Sequence, residues 1–101
     1  MNVTVLQQKK DSPFDQFWSR CLKKTDKALA KAKWDAITTT GLSTRMLDKD
    51  SGQYVDVTLK ATPEQIIEGM KRYGLRNLET EDRYIMGPAT WLNRGRWMDY
   101  E

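Results

Sequence analysis

The chain has 101 residues, 39% of them apolar and 31% charged, with a formal net charge of +3. This length and composition predict one globular domain and argue against a second domain or a wholly disordered chain. The sequence contains no histidine and one cysteine, which excludes an internal disulfide, the usual zinc sites and catalytic pairs that need histidine.

The first residues and the charge distribution suggest where the domain lies and what it meets. We expect residues 1–11 to form a flexible N-terminal segment and residues 12–101 to form the domain. Residues 1–11 also lack the apolar run of a secretory signal, so we expect a cytoplasmic location. Residues 9–33 hold eight basic and three acidic side chains, although the rest of the chain is slightly acidic. This asymmetry predicts an acidic partner, either nucleic acid or an acidic protein surface.

The first predicted helix begins at the N-cap Ser12, with Pro13 in its first turn, and ends near Lys24. Apolar residues recur in it at spacings of three and four, which predicts one buried stripe. The stripe consists of Phe14, Phe17, Trp18, Cys21 and Leu22. Cys21 is expected to be a half-buried small side chain, because no histidine is present to activate it as a nucleophile.

A second helix is predicted from the capping residues Thr25 and Asp26 through the alanine- and lysine-rich stretch DKALAKAKWDAIT. It should end at the three threonines before Gly41. Its expected buried face consists of Leu29, Ala30, Trp34 and Ile37, with Ala36 beside them, and its opposite face of Lys27, Lys31 and Asp35.

Residues 42–60 change from helical to alternating character. The turn sequence DKDSG separates TRML from YVDVTL, in which Tyr54, Asp56 and Thr58 alternate with Val55, Val57 and Leu59. This pattern predicts a β-hairpin, which must pack on the helices because an isolated hairpin is only marginally stable.

The third predicted helix runs from Pro63 to about Leu78, with Thr62 as its N-cap and Gln65 completing a capping box. Its expected buried stripe consists of Ile66, Ile67, Met70 and Tyr73. Gly69 and Gly74 either weaken this helix or mark the close approach of another one.

The closing stretch RYIMGPATWLNRGRW predicts an apolar anchor at Tyr84 and Ile85, a short helix from Pro88, and a stop at Asn93 and Gly95. The fold class is therefore mainly α (α+β): a small helical domain of about four helices, with a β-hairpin inserted between helices 2 and 3. We expect the core to contain Phe17, Trp18, Trp34, Trp91 and Leu92.

Two groups of residues predict binding. If the first two helices meet at a tight bend, the cations near their junction form one strip for phosphates, and an ordinary solubilising face is the alternative. The strip consists of Arg20, Lys23, Lys24, Lys27 and Lys31. The second group is an aromatic and arginine cluster made of Trp91, Arg94, Arg96, Trp97 and Tyr100, residue types found at binding hot spots and on unpaired bases. Arg94, Arg96 and Trp97 follow the helix stop and are the expected contact residues, although Trp97 could equally close the core.

No enzymatic activity, cofactor or metal site is expected. Glu64 and Glu68 are spaced i,i+4 on a predicted exposed helix face, which is typical of solvated surface. The sequence also lacks the glycine-rich loops that bind phosphates.

Three stretches together resemble a domain at the C-terminal end of bacteriophage and prophage replication initiation proteins. They are FDQFWSRCLKKTDKALAKAKWDAI, ATPEQIIEGMKRYGL and RYIMGPATWLNRGRWMD. The matching positions are Phe14, Phe17 and Trp18; Lys23, Lys24 and Lys27; Ala30 and Trp34; Ile66, Ile67, Gly69, Arg72 and Tyr73; and residues 88–97 with Asp99. The family's proline in the basic turn is missing, and residues 42–60 look like an insertion.

The resemblance implies a tail domain that stands alone, without the winged-helix DNA-binding domain that usually precedes it. It therefore implies contact with single-stranded or duplex DNA, or with the host replicative helicase or its loader, in the host cytoplasm, and not recognition of an origin. One alternative is a phage-encoded inhibitor of a host nucleic-acid-directed system, such as an anti-CRISPR or other anti-defence protein, that binds a host defence protein. Another is an assembly protein that oligomerises through the tryptophans.

Overall fold

The structure, a computed structural model, describes residues 12–100 without the side chain of Tyr100. Within them the predicted α+β fold is confirmed, with four α-helices and an antiparallel hairpin between the second and third. The predicted flexible segment over residues 1–11 lies outside the described residues. The elements are α1 (Pro13–Arg20), α2 (Lys27–Thr38), β1 (Leu42–Asp48), β2 (Gln53–Leu59), α3 (Pro63–Arg76), a 3₁₀ turn (Asp82–Tyr84), α4 (Pro88–Asn93) and a 3₁₀ helix (Arg96–Tyr100).

Helix α1 begins where the sequence predicts but ends at Arg20, so the predicted end near Lys24 is wrong. Ser12 Oγ accepts the backbone N–H of Asp15 at 3.2 Å, which is the expected cap. At the other end of the helix the Cys21 backbone is extended. The Cys21 thiol donates to the Phe17 carbonyl, and Lys24 Nζ donates to the Cys21 carbonyl. These bonds satisfy carbonyls that a longer helix would use, so residues 21–26 form a loop.

Helix α2 differs from its prediction at Asp26 and at Leu29. Asp26 occupies the N-cap position with φ +52°, but its side chain makes no capping hydrogen bond. Ala30, Trp34 and Ile37 are buried as expected, whereas Leu29 is 51% exposed. Leu29 precedes Ala30 and so points about 100° away from it around the helix, off the side that packs against α4. Gly41, with φ +112°, ends the helix as predicted.

The hairpin is confirmed, and its register pairs Leu42 with Leu59 and Asp48 with Gln53. The Asp48 carboxylate organises the turn by accepting from the Asp50 backbone N–H and from the Ser51 hydroxyl. Leu59 is buried, and the Ala61 N–H donates to the Ile37 carbonyl at 3.1 Å. The base of the hairpin is therefore fixed to the helices, which supplies the packing that two strands need.

Helix α3 has the predicted capping box, in which Thr62 Oγ1 accepts the Gln65 N–H and Gln65 Oε1 accepts the Thr62 N–H. It ends at Arg76, where the Asn77 side chain donates to the Tyr73 carbonyl, slightly before the predicted Leu78. The close approach predicted for Gly69 is confirmed, because an added Cβ would lie 2.5 Å from the Trp97 Cβ.

A chain of aromatic rings forms the core. Phe17 lies 5.3 Å from Trp34 and 5.9 Å from Trp91, measured between ring centroids, and Trp91 lies 6.1 Å from Trp97. Trp91 and Leu92 are fully buried as predicted, while Trp18 is only partly buried. Of the predicted anchor pair, Ile85 is buried but Tyr84 is exposed, since the 3₁₀ turn directs consecutive side chains to different sides.

Three further side chains from the predicted stripes lie closer to solvent than expected. Leu22 is exposed because it falls in the loop after α1. Ile67 and Ala36 are only partly buried, each beside the buried face of its helix. None of the helices in the described part of the chain combines the length and apolar content needed to cross a bilayer.

Candidate nucleic-acid interface

The five cations of the predicted strip have different surroundings. Lys27 Nζ lies 5.5 Å from the centroid of the Trp18 ring, and Lys31 Nζ lies 5.8 Å from the Phe14 ring. Lys31 also contacts both oxygens of Asp35 at 3.0 Å. Lys27 therefore lies over the partly buried Trp18 ring and Lys31 over the buried Phe14 ring, and the charge of Lys31 is partly compensated.

Lys23 and Lys24 lie in a different place. They line an open depression between the loop 21–26 and the start of α4. Lys23 Nζ lies 3.6 Å from the Asp82 carboxylate, and Lys24 Nζ donates to the Cys21 carbonyl at 2.6 Å. Asp26 also lines this depression. Arg20 lines a third surface, beside α3. The loop 21–26 separates α1 from α2, and Leu22 lines both the surface of Arg20 and the depression of Lys23 and Lys24, so whether these cations act as one strip stays a prediction.

Trp97 does not belong to an exposed contact patch. Its side chain is only 5% exposed and packs against Trp91, and its backbone lies against Gly69 of α3. This corrects the prediction that Trp97 contacts a partner. It also removes the exposed tryptophans through which the assembly alternative would act, since Trp91 is buried as well.

The two remaining predicted residues, Arg94 and Arg96, lie in a cleft between the hairpin and the C-terminal segment. We call this feature the arginine cleft. Its walls are formed by Arg45, Met46, Leu47 and Tyr54 of the hairpin and by Asn93, Arg94 and Arg96. It has three arginines, an exposed tyrosine and no carboxylate among these described lining residues.

Local structure explains why the arginines converge. Gly95 has φ +62°, and an added Cβ would lie 2.7 Å from Met98 Cε and 3.3 Å from Met46 Cε. A side chain at this φ would be strained, so glycine favours the tight turn between Arg94 and Arg96 and the close contact with the hairpin. On one side of this turn, Lys33 Nζ donates to Asn93 Oδ1 at 3.1 Å and holds the end of α4.

The hairpin supplies the other wall with side chains from both of its faces. Leu47 pairs with Tyr54 and Arg45 pairs with Asp56 on one face, while Met46, which approaches the Gly95 turn, lies on the other. Tyr54 is 64% exposed, which leaves its ring accessible. The alternation of the strand sets Tyr54 with Asp56 and Thr58, but no neighbouring residue in the chain links Arg45 or Tyr54 to the C-terminal turn, so the sequence does not predict them as site residues.

The three arginines differ in how far their charge is compensated. Arg45 Nε lies 3.6 Å from Asp56, a contact between two exposed groups that contributes little. Arg96 Nε lies 2.9 Å from Asp99 Oδ2 but has no hydrogen bond, so the contact is ionic only. Arg94 is exposed and makes no ion pair within residues 12–100. It is the arginine with the most uncompensated charge in the cleft.

Cys21 offers no reactive group at the surface. It is buried, not half-buried as predicted, and its thiol lies 3.4 Å from the Phe17 carbonyl oxygen. Burial raises the pKa of this thiol to about 12, although the nearby Lys24 charge acts in the opposite direction. The thiol is therefore protonated at neutral pH and unsuited to nucleophilic chemistry.

Comparison of the chain with protein-family models, curated proteins and solved structures finds no match.

Proposed function

We propose that this chain is a non-enzymatic binding domain that contacts single-stranded nucleic acid through the arginine cleft. The observation that carries the proposal is the convergence of Arg45, Arg94 and Arg96 with the exposed ring of Tyr54, in a cleft whose lining includes no carboxylate among the described residues. Positive charge together with an accessible aromatic ring is the combination that single-strand-binding proteins use.

Each component has a chemical role. A guanidinium group can donate two parallel hydrogen bonds to a phosphate, and Arg94 has no competing ion pair in the described structure. The Tyr54 ring can stack on an unpaired base, with Leu47 beside it as an apolar surface. A duplex keeps its bases stacked inside and would leave Tyr54 without a partner. The cleft therefore favours single strands over duplex DNA.

The cations outside the cleft have a secondary role in this proposal. Arg20, Lys23, Lys24, Lys27 and Lys31 surround other parts of the surface and contribute to the positive field that attracts a polyanion. Reversing the charge of Lys27 or Lys31 should therefore weaken binding moderately and mostly at low salt.

The resemblance to replication-initiator tail domains supplies the proposed setting, a phage or prophage protein that acts during DNA replication in the host cytoplasm. Contact with the replicative helicase or its loader is a further proposal from the same resemblance. Inhibition of a host defence protein stays the alternative, and the two are separated by whether nucleic acid or a host protein is bound.

The test measures fluorescence anisotropy of a labelled oligothymidine against the wild-type protein and two cleft variants, Tyr54→Ala and Arg94→Glu. Loss of one stacking ring costs about 1–3 kcal/mol, so Tyr54→Ala should weaken binding by about 5- to 150-fold. Arg94→Glu should weaken it at least as much, and wild-type affinity should fall steeply with added salt. Both side chains are exposed, so the thermal melting of these variants should stay close to wild type.

Arg20→Glu is the matched control, because Arg20 is also an exposed arginine without an ion pair in the described structure but lies outside the cleft. It should lose much less affinity than Arg94→Glu. The proposal fails if wild-type protein does not bind the oligonucleotide at low salt, if both reversals act equally, or if a duplex binds as tightly and Tyr54→Ala changes nothing. Absence of binding together with capture of a host protein would favour the inhibitor alternative.

A further inference from the structure

Three exposed leucines meet at one surface depression between the end of α1 and the end of α3. We call it the leucine patch, and it consists of Leu22, Leu75 and Leu78. They are 41%, 64% and 70% exposed, respectively. Single exposed leucines are common on protein surfaces, but three that line the same depression form an apolar surface of the kind that binds partners.

The backbone between these leucines is open. Gly74 lies within the depression, and an added Cβ there would have the Arg20 carbonyl oxygen as its nearest neighbour, at 3.9 Å. No side chain of α3 fills this position, so the surface between Leu75 and the end of α1 is recessed. A recess lined by leucine is suited to an inserted apolar side chain.

The charges around the leucine patch indicate the chemistry of its occupant. Arg20 and Lys71 line the same depression, and neither makes an ion pair within the described residues. No carboxylate lines it in that part of the chain. From this combination we propose that the leucine patch binds an acidic amphipathic helix of a partner protein. Leucine-type side chains of that helix would enter the recess, while its flanking carboxylates would meet Arg20 and Lys71.

The same charges disfavour other occupants. A second copy placed on this surface about a two-fold axis would bring each cation against its own kind. The N-terminal segment of this chain carries Lys9 and Lys10, so its charge has the same sign as the rim. A nucleic-acid phosphate would pair with the cations but leave the three leucines in water.

This inference is independent of the arginine cleft, because the two surfaces share no residue. The probe is a fluorescein-labelled peptide helix with leucines along one face and glutamates beside them. Its controls are a peptide of the same composition with scrambled order and a peptide in which lysine replaces each glutamate. We expect binding of the acidic amphipathic peptide alone. Leu78→Asp should weaken that binding about tenfold or more, because the variant lacks the apolar side chain that the bound peptide would cover.

Control variants separate the patch from general surface effects. Leu29→Asp introduces the same change at a leucine that is 51% exposed on another surface, and it should leave peptide binding unchanged. Lys71→Glu should weaken binding, whereas Arg94→Glu and Lys60→Glu, at an exposed lysine directly after β2, should not. The proposal is overturned if the scrambled or lysine peptide binds equally, if Leu78→Asp binds like wild type, or if Leu78→Asp instead dissolves a dimer seen by light scattering.

Discussion

The contact between Gly69 and Trp97 gives the sharpest test of how the C-terminal segment is held. In Gly69→Ala the new Cβ would lie 2.5 Å from the Trp97 Cβ and 2.7 Å from its Cα. Carbon atoms prefer separations of about 3.5–4.0 Å, and a backbone atom cannot rotate away as a side chain can. Either the 3₁₀ helix Arg96–Tyr100 must shift from α3, or both elements must distort.

Two effects of opposite sign decide the outcome. Alanine favours a helix over glycine by about 0.8–1.0 kcal/mol, while overpacking of this kind costs about 1–3 kcal/mol and sometimes more. Because the backbone of Trp97 is involved, we expect the steric cost to exceed the propensity gain and the free energy of unfolding to fall by about 1–2 kcal/mol. For a domain of this size, that lowers Tm by about 4–16 °C.

Gly74→Ala is the matched control on the same helix. There the added Cβ has no neighbour closer than 3.9 Å, so only the propensity gain remains. We expect Gly74→Ala to stabilise the protein by about 0.5–1 kcal/mol. Circular dichroism melting of the three proteins provides the assay. Equal stabilisation by both alanines would refute the close approach of Trp97 to α3.

Three other predictions concern stability and reactivity. Thr62→Ala should lower the free energy of unfolding by about 1 kcal/mol in urea titrations, and Thr62→Gly by only a few tenths; equal losses would contradict the capping box. Trp91→Ala should cost about 3–5 kcal/mol because its ring is fully buried, and an unchanged melting transition would contradict its place in the core. Cys21 should react with iodoacetamide far more slowly in the folded protein than in guanidinium, and similar rates would refute its burial. Since burial raises the pKa of this thiol from 9.0 to about 12, the unfolded chain releases the proton first, and stability should fall as pH rises above about 9.

The starts of the helices could be predicted from the sequence because their causes are local. Ser12 and Thr62 bond to backbone groups three residues away, and a proline follows each of them. The ends were harder, since α1 stops where the Cys21 thiol and the Lys24 ammonium satisfy its carbonyls, and neither residue is a general stop signal.

The candidate site could be predicted only in part. Arg94 and Arg96 were identified from residue type and from their position after a helix stop. Arg45 and Tyr54 were not, because they join the cleft through the contact between the hairpin and the Gly95 turn, and that contact spans a long stretch of chain.

The sequence by itself determined the order of the elements, the hairpin and its turn, the Ser12 cap, the Thr62 capping box and the apolar stripes that form the core. These features depend on side-chain periodicity and on hydrogen bonds between near neighbours in the chain. Tertiary structure decided which residues face solvent: it buried Trp97 against Gly69, exposed Leu29 and the leucine patch, and brought Arg45 and Tyr54 to the same cleft as Arg94 and Arg96. The reason is that burial depends on which elements pack together, and the sequence of a single helix or strand does not specify the element against which it packs.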